Sequence, residues 1–198
     1  MSFIINPYRF AANFVKKSLI FTAASSQYLD RTWGTPSDNK KKTVSLWFKR
    51  ASAPASEMFL VSAWPGSGGE DGLWFDSSNY FSIYATNGGA GGQSTTQVTD
   101  SNWHHLCYNL DTTQATAADR IKAWLDGTLL SGFSAPTLNA TNDRLFNAQN
   151  TTIGRNDFSS NKYFDGKIAG LCIIPSACYD YTYFYASGRP KEIGRAHV

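Results

Sequence analysis

Glutamate is nearly missing from this chain: Glu57, Glu70 and Glu192 are the only three among 198 residues. Cleaving a glycosidic bond takes two carboxyl groups that face each other across it, and no acidic pair shares one face of a strand pattern. With no serine or cysteine nucleophile motif either, the chain is not expected to be an enzyme. Cysteine is scarce and odd in number. Cys107, Cys172 and Cys178 have spacings that fit neither a disulfide framework nor a zinc site, and Cys107 and Cys172 fall in apolar strand patterns where a thiol behaves as a small hydrophobe. Assembly in a reducing compartment is expected. No apolar run approaches the ~18 residues of a membrane helix. The start, Met1-Ser2-Phe3-Ile4-Ile5-Asn6-Pro7, lacks the basic opening of a secretory signal and breaks at Pro7. A net charge of +3 is too small to argue for nucleic acid. The one basic run, Lys40-Lys41-Lys42, reads as a solvated loop ahead of a strand that starts at Thr43.

What the chain has instead is aromatic rings, 15% of its residues against 17% charged, enough to fill much of a core and some of a surface. Val44, Leu46 and Phe48 alternate with Ser45, Trp47 and Lys49, the period of two that marks a half-buried strand. The same alternation runs through 80–84 and 121–126, and 18–21, 59–62, 73–75, 106–110 and 168–174 read as further strands. Glycine-rich stretches at 65–69 and 87–92 and a polar one at 139–142 punctuate them. Single helical turns are expected only at 115–119 and 179–186. The pattern predicts one all-β domain, a two-sheet antiparallel sandwich.

Alternation also predicts two faces. Val44, Leu46, Phe48, Phe81, Ile83, Leu106, Ile121, Leu125, Ile168 and Leu171 should be buried between the sheets. Trp47, Tyr84 and Trp124, with Trp74 and Tyr80, should form a mixed aromatic face beside Lys49, Ser82 and Lys122, where rings stack on a sugar and polar groups fix its hydroxyls. The alternative is that these rings belong to a core or lie under loops.

Four segments carry a resemblance: Trp103-His104-His105-Leu106, Trp124-Leu125-Asp126-Gly127, Ile153-Gly154-Arg155 and Tyr163-Phe164-Asp165-Gly166-Lys167-Ile168. Asp-Gly supplies the positive φ angles of a two-residue hairpin, and Gly154 and Gly166 sit where a strand pattern would bend. In order and spacing these segments resemble the second half of a laminin-G-like, concanavalin A-like jelly roll, over roughly residues 18–174. The resemblance implies a binding or structural module; the laminarinase-like glucanases of the same fold carry an E-x-D-x-E arrangement that this chain lacks. It gives His104 and His105 a structural role at a strand opening, consistent with adjacent strand residues pointing to opposite faces. Some laminin-G-like domains bind calcium at a sheet rim. Asp100, Asp126, Asp157 and Asp165 lie at predicted rims, yet none matches a calcium motif, so neither a metal ligand nor a cofactor is assigned. Asn139-Ala140-Thr141 and Asn150-Thr151-Thr152 fit the glycosylation sequon but read as turn and strand residues.

The two ends stand apart. The first ten residues, Met1 through Phe10, with Phe3, Ile4, Ile5, Tyr8 and Phe10 around Pro7, resemble the opening of tailed-phage virion proteins that carry such a domain. They are expected to form an arm (residues 1–17) that docks on neighbouring virion subunits, the alternative being that it packs on its own domain. Residues 192–198 match the translation of a sequencing adapter and are expected not to be native, leaving a domain over 18–191. The expected function is a non-catalytic virion structural or host-adhesion module, assembled in the host cytoplasm, which contacts host-surface polysaccharide and neither nucleic acid nor membrane. Alternatives are an extracellular, cellular carbohydrate-binding lectin domain and, less favoured, a glycoside hydrolase.

Overall fold

A computed structural model of the chain describes residues 3–4, 17–159 and 161–191. Its strands are β1 (Phe3–Ile4), β2 (Leu19–Phe21), β3 (Leu29–Thr32), β4 (Lys41–Arg50), β5 (Met58–Ala63), β6 (Asp71–Phe75), β7 (Tyr80–Ala85), β8 (Ala90–Gln97), β9 (His104–Asp111), β10 (Ile121–Leu125), β11 (Thr128–Leu129), β12 (Asn150–Ile153), β13 (Gly166–Ile174), β14 (Tyr185–Ala186) and β15 (Arg189–Pro190). One sheet has seven strands in the order β1-β13-β4-β9-β10-β11, with β2 also on β13. The other has six, β3-β12-β5-β6-β7-β8, and every pairing in both is antiparallel. The chain folds as the predicted all-β sandwich.

The core lies between the sheets. Val44, Leu46, Phe48, Phe81, Ile83, Leu106, Ile121, Ile168 and Leu171 are buried there, with Leu125 partly buried against them. At β5 the ladder shifts register between Phe59 and Val61, so consecutive Leu60 and Val61 both face the core while Phe59 and Ser62 face outward. Asp126 (φ 50°) and Gly127 (φ 82°) make the two-residue turn between β10 and β11 that the Asp-Gly pair predicts.

Two sequence expectations are corrected. Lys41 and Lys42 are not loop but the start of β4, and Lys42 is fully buried. Its ammonium pairs with Asp143 and donates to the Leu145 carbonyl at 2.8 Å. A buried lysine holds its charge only when a carboxylate accompanies it, and that carboxylate is 101 residues away in sequence. The stretch 87–92 is only partly a turn, because β8 begins at Ala90. Gly91 adopts φ 106°, and a Cβ there would meet the Ile83 carbonyl oxygen at 2.2 Å, so the glycine marks strand crowding rather than chain reversal.

Beyond Ile174 the chain crosses the outer face of the seven-stranded sheet. A 3₁₀ turn at Tyr181–Tyr183 and the β14–β15 hairpin lay Tyr181, Tyr183 and Phe184 on Trp124, Cys107 and Cys172, a second small core. Of the expected arm, Phe3–Ile4 pair with Ile173 and Cys172 of β13; its remaining contacts, like residues 192–198, lie outside the described residues.

Candidate functional site

The five rings expected on one aromatic face divide between two sheets, Trp47 and Trp124 on the seven-stranded one and Trp74, Tyr80 and Tyr84 on the six-stranded one. Trp47 and Trp124 point outward from the seven-stranded sheet but are only 4% and 9% exposed. Tyr185 stacks on Trp47 (ring centroids 5.8 Å) and on His105 (5.3 Å), and Tyr181 leans on Trp124 (5.8 Å). The single mixed face therefore does not form, because alternation assigns a side of a strand without saying which sheet the strand joins or what crosses over it.

Trp74 and Tyr84 stand on the outer face of the six-stranded sheet. Phe59, Trp74 and Tyr84 form a ladder: Phe59 and Trp74 stack at 5.1 Å and 10°, and Trp74 meets Tyr84 at 4.5 Å. Trp74 is buried at 4% exposure, while Tyr84 keeps 43% of its surface in solvent. Strand pairing sets Tyr84 in one cross-sheet row with Thr152, Ser62, Gly72 and Gly91, so a glycine lies on either side of it. The absence of side chains at Gly72 and Gly91 leaves Tyr84 as the one ring in that row.

The row runs along a rim that is locked in place. The Asp71 carboxylate accepts from the backbone N–H groups of Asn87 (3.0 Å), Gly88 (2.9 Å) and Arg144 (2.6 Å), and Asp143 accepts from Thr86 N–H (3.0 Å). Thr86 and Asn87, directly after β7, are both left-handed (φ 54° and 64°), and these carboxylates hold that turn. Asn87 Oδ1 also accepts from Gly69 N–H at 2.9 Å, tying the β5–β6 loop to the β7–β8 turn. Burial first, and Asp143 second, raise the Asp71 carboxyl well above the usual range.

At the other end of the row the loop after β12 folds over Ser62. Asp157 N–H donates to Ser62 Oγ (3.0 Å), and Ser62 Oγ and Asn156 Nδ2 each donate to Glu70 Oε1 at 2.6 Å. Burial raises the Glu70 carboxyl, although both donors act against the shift. Trp64 and Phe158 meet edge-to-face at 4.9 Å, and Phe158 is 58% exposed. Asn156, Trp64 and Phe158 escaped sequence reading because loops bring them to the sheet from outside any alternating pattern, whereas Glu70 reads as a loop residue and lies in one, just before β6.

The histidines and rim aspartates do other work. His104 bridges Asp126 (2.6 Å) and Asp100 (2.7 Å), whereas His105 is buried against Ser45 Oγ (2.9 Å). Asp157 accepts from Trp64 N–H and Asp165 from Ala23 N–H. The four aspartates considered for calcium thus serve three separate places. Among the described residues no group of three or more histidines, cysteines, aspartates or glutamates is set to hold a metal.

The sequence model of the Laminin_G_3 family, described as the concanavalin A-like lectin/glucanases superfamily, matches residues 24–178. A search of curated proteins finds no match. Among solved structures, the CBM40 of the Ruminococcus gnavus IT-sialidase, bound to α2,3 sialyllactose, superposes with a TM-score of 0.56 at 12% identity, covering 83% of this chain and 92% of that one. Domain 4 of AbnA, an extracellular GH43 arabinanase from Geobacillus stearothermophilus held with arabinotriose, gives 0.56 at 17% identity, covering 82% and 72%. Trypanosoma rangeli sialidase gives 0.53 at 16% identity over 71% of this chain, which spans only 22% of that enzyme. The aromatic cover that starts at Tyr179 lies just beyond the matched family region.

Proposed function

The chain belongs to the concanavalin A-like lectin/glucanases superfamily, and on that premise we propose that it is a non-catalytic glycan-binding module whose site is the rim around Tyr84. Tyr84 itself carries the reading: the exposed ring of a three-ring ladder, set between two glycines on a hydrogen-bonded rim. Such a ring offers a flat apolar surface to a sugar and a phenolic hydroxyl to its edge. Two modules of the same fold hold oligosaccharides, which supports the class of ligand. The non-catalytic part of the reading is supported by Glu70, whose Oε1 is already occupied by Ser62 and Asn156.

The test is binding of the multimerised chain to a broad glycan array. Binding should be lost on Tyr84→Ala with the thermal unfolding curve unchanged, and an array blank for the wild-type chain would overturn the reading. The wider role we assign is adhesion on a phage virion, alongside neighbouring subunits, although Phe3–Ile4 pair with β13 of this same chain. The N-terminal resemblance supports this, and mass spectrometry of purified particles tests it, since particles without the protein would refute the assignment.

A further inference from the structure

Between the sheets, at the edge where β3 and β12 face β13, the core does not close. A cavity of about 460 Å³ lies there, walled by Trp33, Phe146, Ile153, Leu171 and Ile173, with the exposed Leu29 of β3 at its mouth. It is on the inner face of the six-stranded sheet, four strands from Tyr84. Native cores leave few voids larger than a water molecule, and a cavity of ~150 Å³ already binds benzene, so this one has room for roughly three times as much. Trp33 gives it a chemistry. The ring is held edge-to-face by Phe146 at 5.1 Å and by the Arg31 guanidinium 4.5 Å from its centroid, and the residue is 8% exposed. Its Nε1–H is buried and has no hydrogen-bond partner among the described residues. The other polar side chain of the inner wall, Thr151, is engaged, because its Oγ1 accepts from Phe146 N–H at 3.3 Å. A lone donor does not hold a water, which needs ~2–4 polar partners, and a buried donor left unpaired destabilises the fold that carries it. We propose that this cavity binds a small uncharged apolar molecule, of roughly eighteen non-hydrogen atoms at most, whose single hydrogen-bond acceptor takes the Trp33 Nε1–H. The apolar wall holds the body of the ligand and the lone donor sets its orientation. A carboxylate or an ammonium is excluded, since nothing on the inner wall would offset its desolvation.

The experiment uses the full chain with isotope-labelled tryptophan, followed by the indole N–H resonances. The probes are naphthyl methyl ketone, ethylnaphthalene and naphthoate, which share one ring system and differ in the acceptor they carry. Trp33→Phe identifies the Trp33 resonance by its loss. The ketone should shift that resonance saturably and bind at least fivefold more tightly than the hydrocarbon, with the carboxylate weakest. In Trp33→Phe the ketone and the hydrocarbon should bind alike, because the donor is gone. Leu171→Phe fills the cavity and should weaken both at least tenfold; the indole resonances report whether that variant is folded, and Ile153→Phe takes its place if it is not. Equal binding of ketone and hydrocarbon to the wild-type chain, tighter binding of the carboxylate, or binding that survives the filled cavity would overturn the inference. So would a Trp33 resonance that no probe moves, an outcome that leaves the Tyr84 reading untouched.

Discussion

His104 and His105 are neighbours in sequence with opposite responses to protons. Hydrogen bonds to Asp126, and then to Asp100, raise the His104 pKa against the cost of its partial burial. Burial pushes His105 down to about 4, with only Asp126 acting against it. A histidine whose folded pKa is raised stabilises the protein fully below its unfolded value near 6.5, and that contribution is lost as pH rises through the folded pKa. The depressed His105 behaves conversely: between pH 6.5 and 4 the unfolded chain binds a proton that the folded chain refuses, so stability falls as pH falls. The drop across that window is about 3 kcal/mol. Urea unfolding at pH 4.5 and pH 8 should therefore show His104→Gln costing more at the acid end, and His105→Gln relieving part of the wild-type acid loss. An identical pH profile for both variants would contradict the assignment. Asp143 makes a second residue-scale case. Asp143→Ala would strand the buried Lys42 ammonium and the Thr86 N–H, at a cost of ~3–5 kcal/mol in denaturant titration.

At the scale of elements, the C-terminal cover decides what the seven-stranded sheet can do. Tyr179 N–H bonds Thr43 Oγ1 at 2.9 Å, and beyond that point the cover is held mainly by rings: Tyr181 on Trp124, and Tyr185 on Trp47 and His105. Gly127 makes room for it, because a Cβ there would meet Tyr181 and Tyr185 at 3.1 Å. Cys107 and Cys172 lie beneath, and burial raises both thiols, Cys172 to about 11. A chain ending at Cys178 should keep the sandwich but expose these two thiols. Alkylation at pH 8 should be at least tenfold faster than in the full chain, and equally slow labelling would show that something other than the cover protects them. The strands themselves were legible because alternation over β4, β7 and β10 is local. The cover was not, since Tyr179 to Tyr185 show aromatic density without a period, and their partner sheet is more than 50 residues upstream at Trp124.

Across the whole molecule, the same residue type reads differently on the two outer faces. The core of Val44, Leu46, Phe48, Phe81 and Ile83 followed from alternation alone, since a strand in a sandwich has one face that must be dry. The outward rings did not. Trp47 and Trp124 lie under the chain's own tyrosines, whereas Tyr84 on the other sheet keeps 43% of its surface in solvent. Sequence could name Tyr84 as a candidate ring, but Phe158 and Glu70 reach the rim through loops whose course depends on long-range bonds from Asp157 to Ser62 and from Asn156 to Glu70. A stability comparison separates the two kinds of ring. Trp124→Ala removes a buried aromatic and should cost ~3–5 kcal/mol, as Leu46→Ala in the central core should cost ~2–5 kcal/mol. Tyr84→Ala removes a ring whose exposed part makes no protein contact and should cost far less than either. If the exposed ring is retained for a ligand rather than for the fold, Tyr84→Ala must leave the unfolding midpoint nearly in place while abolishing glycan binding. A large midpoint shift at Tyr84, comparable with that at Trp124, would mean that the three-ring ladder is a structural brace and that the rim is not a binding site.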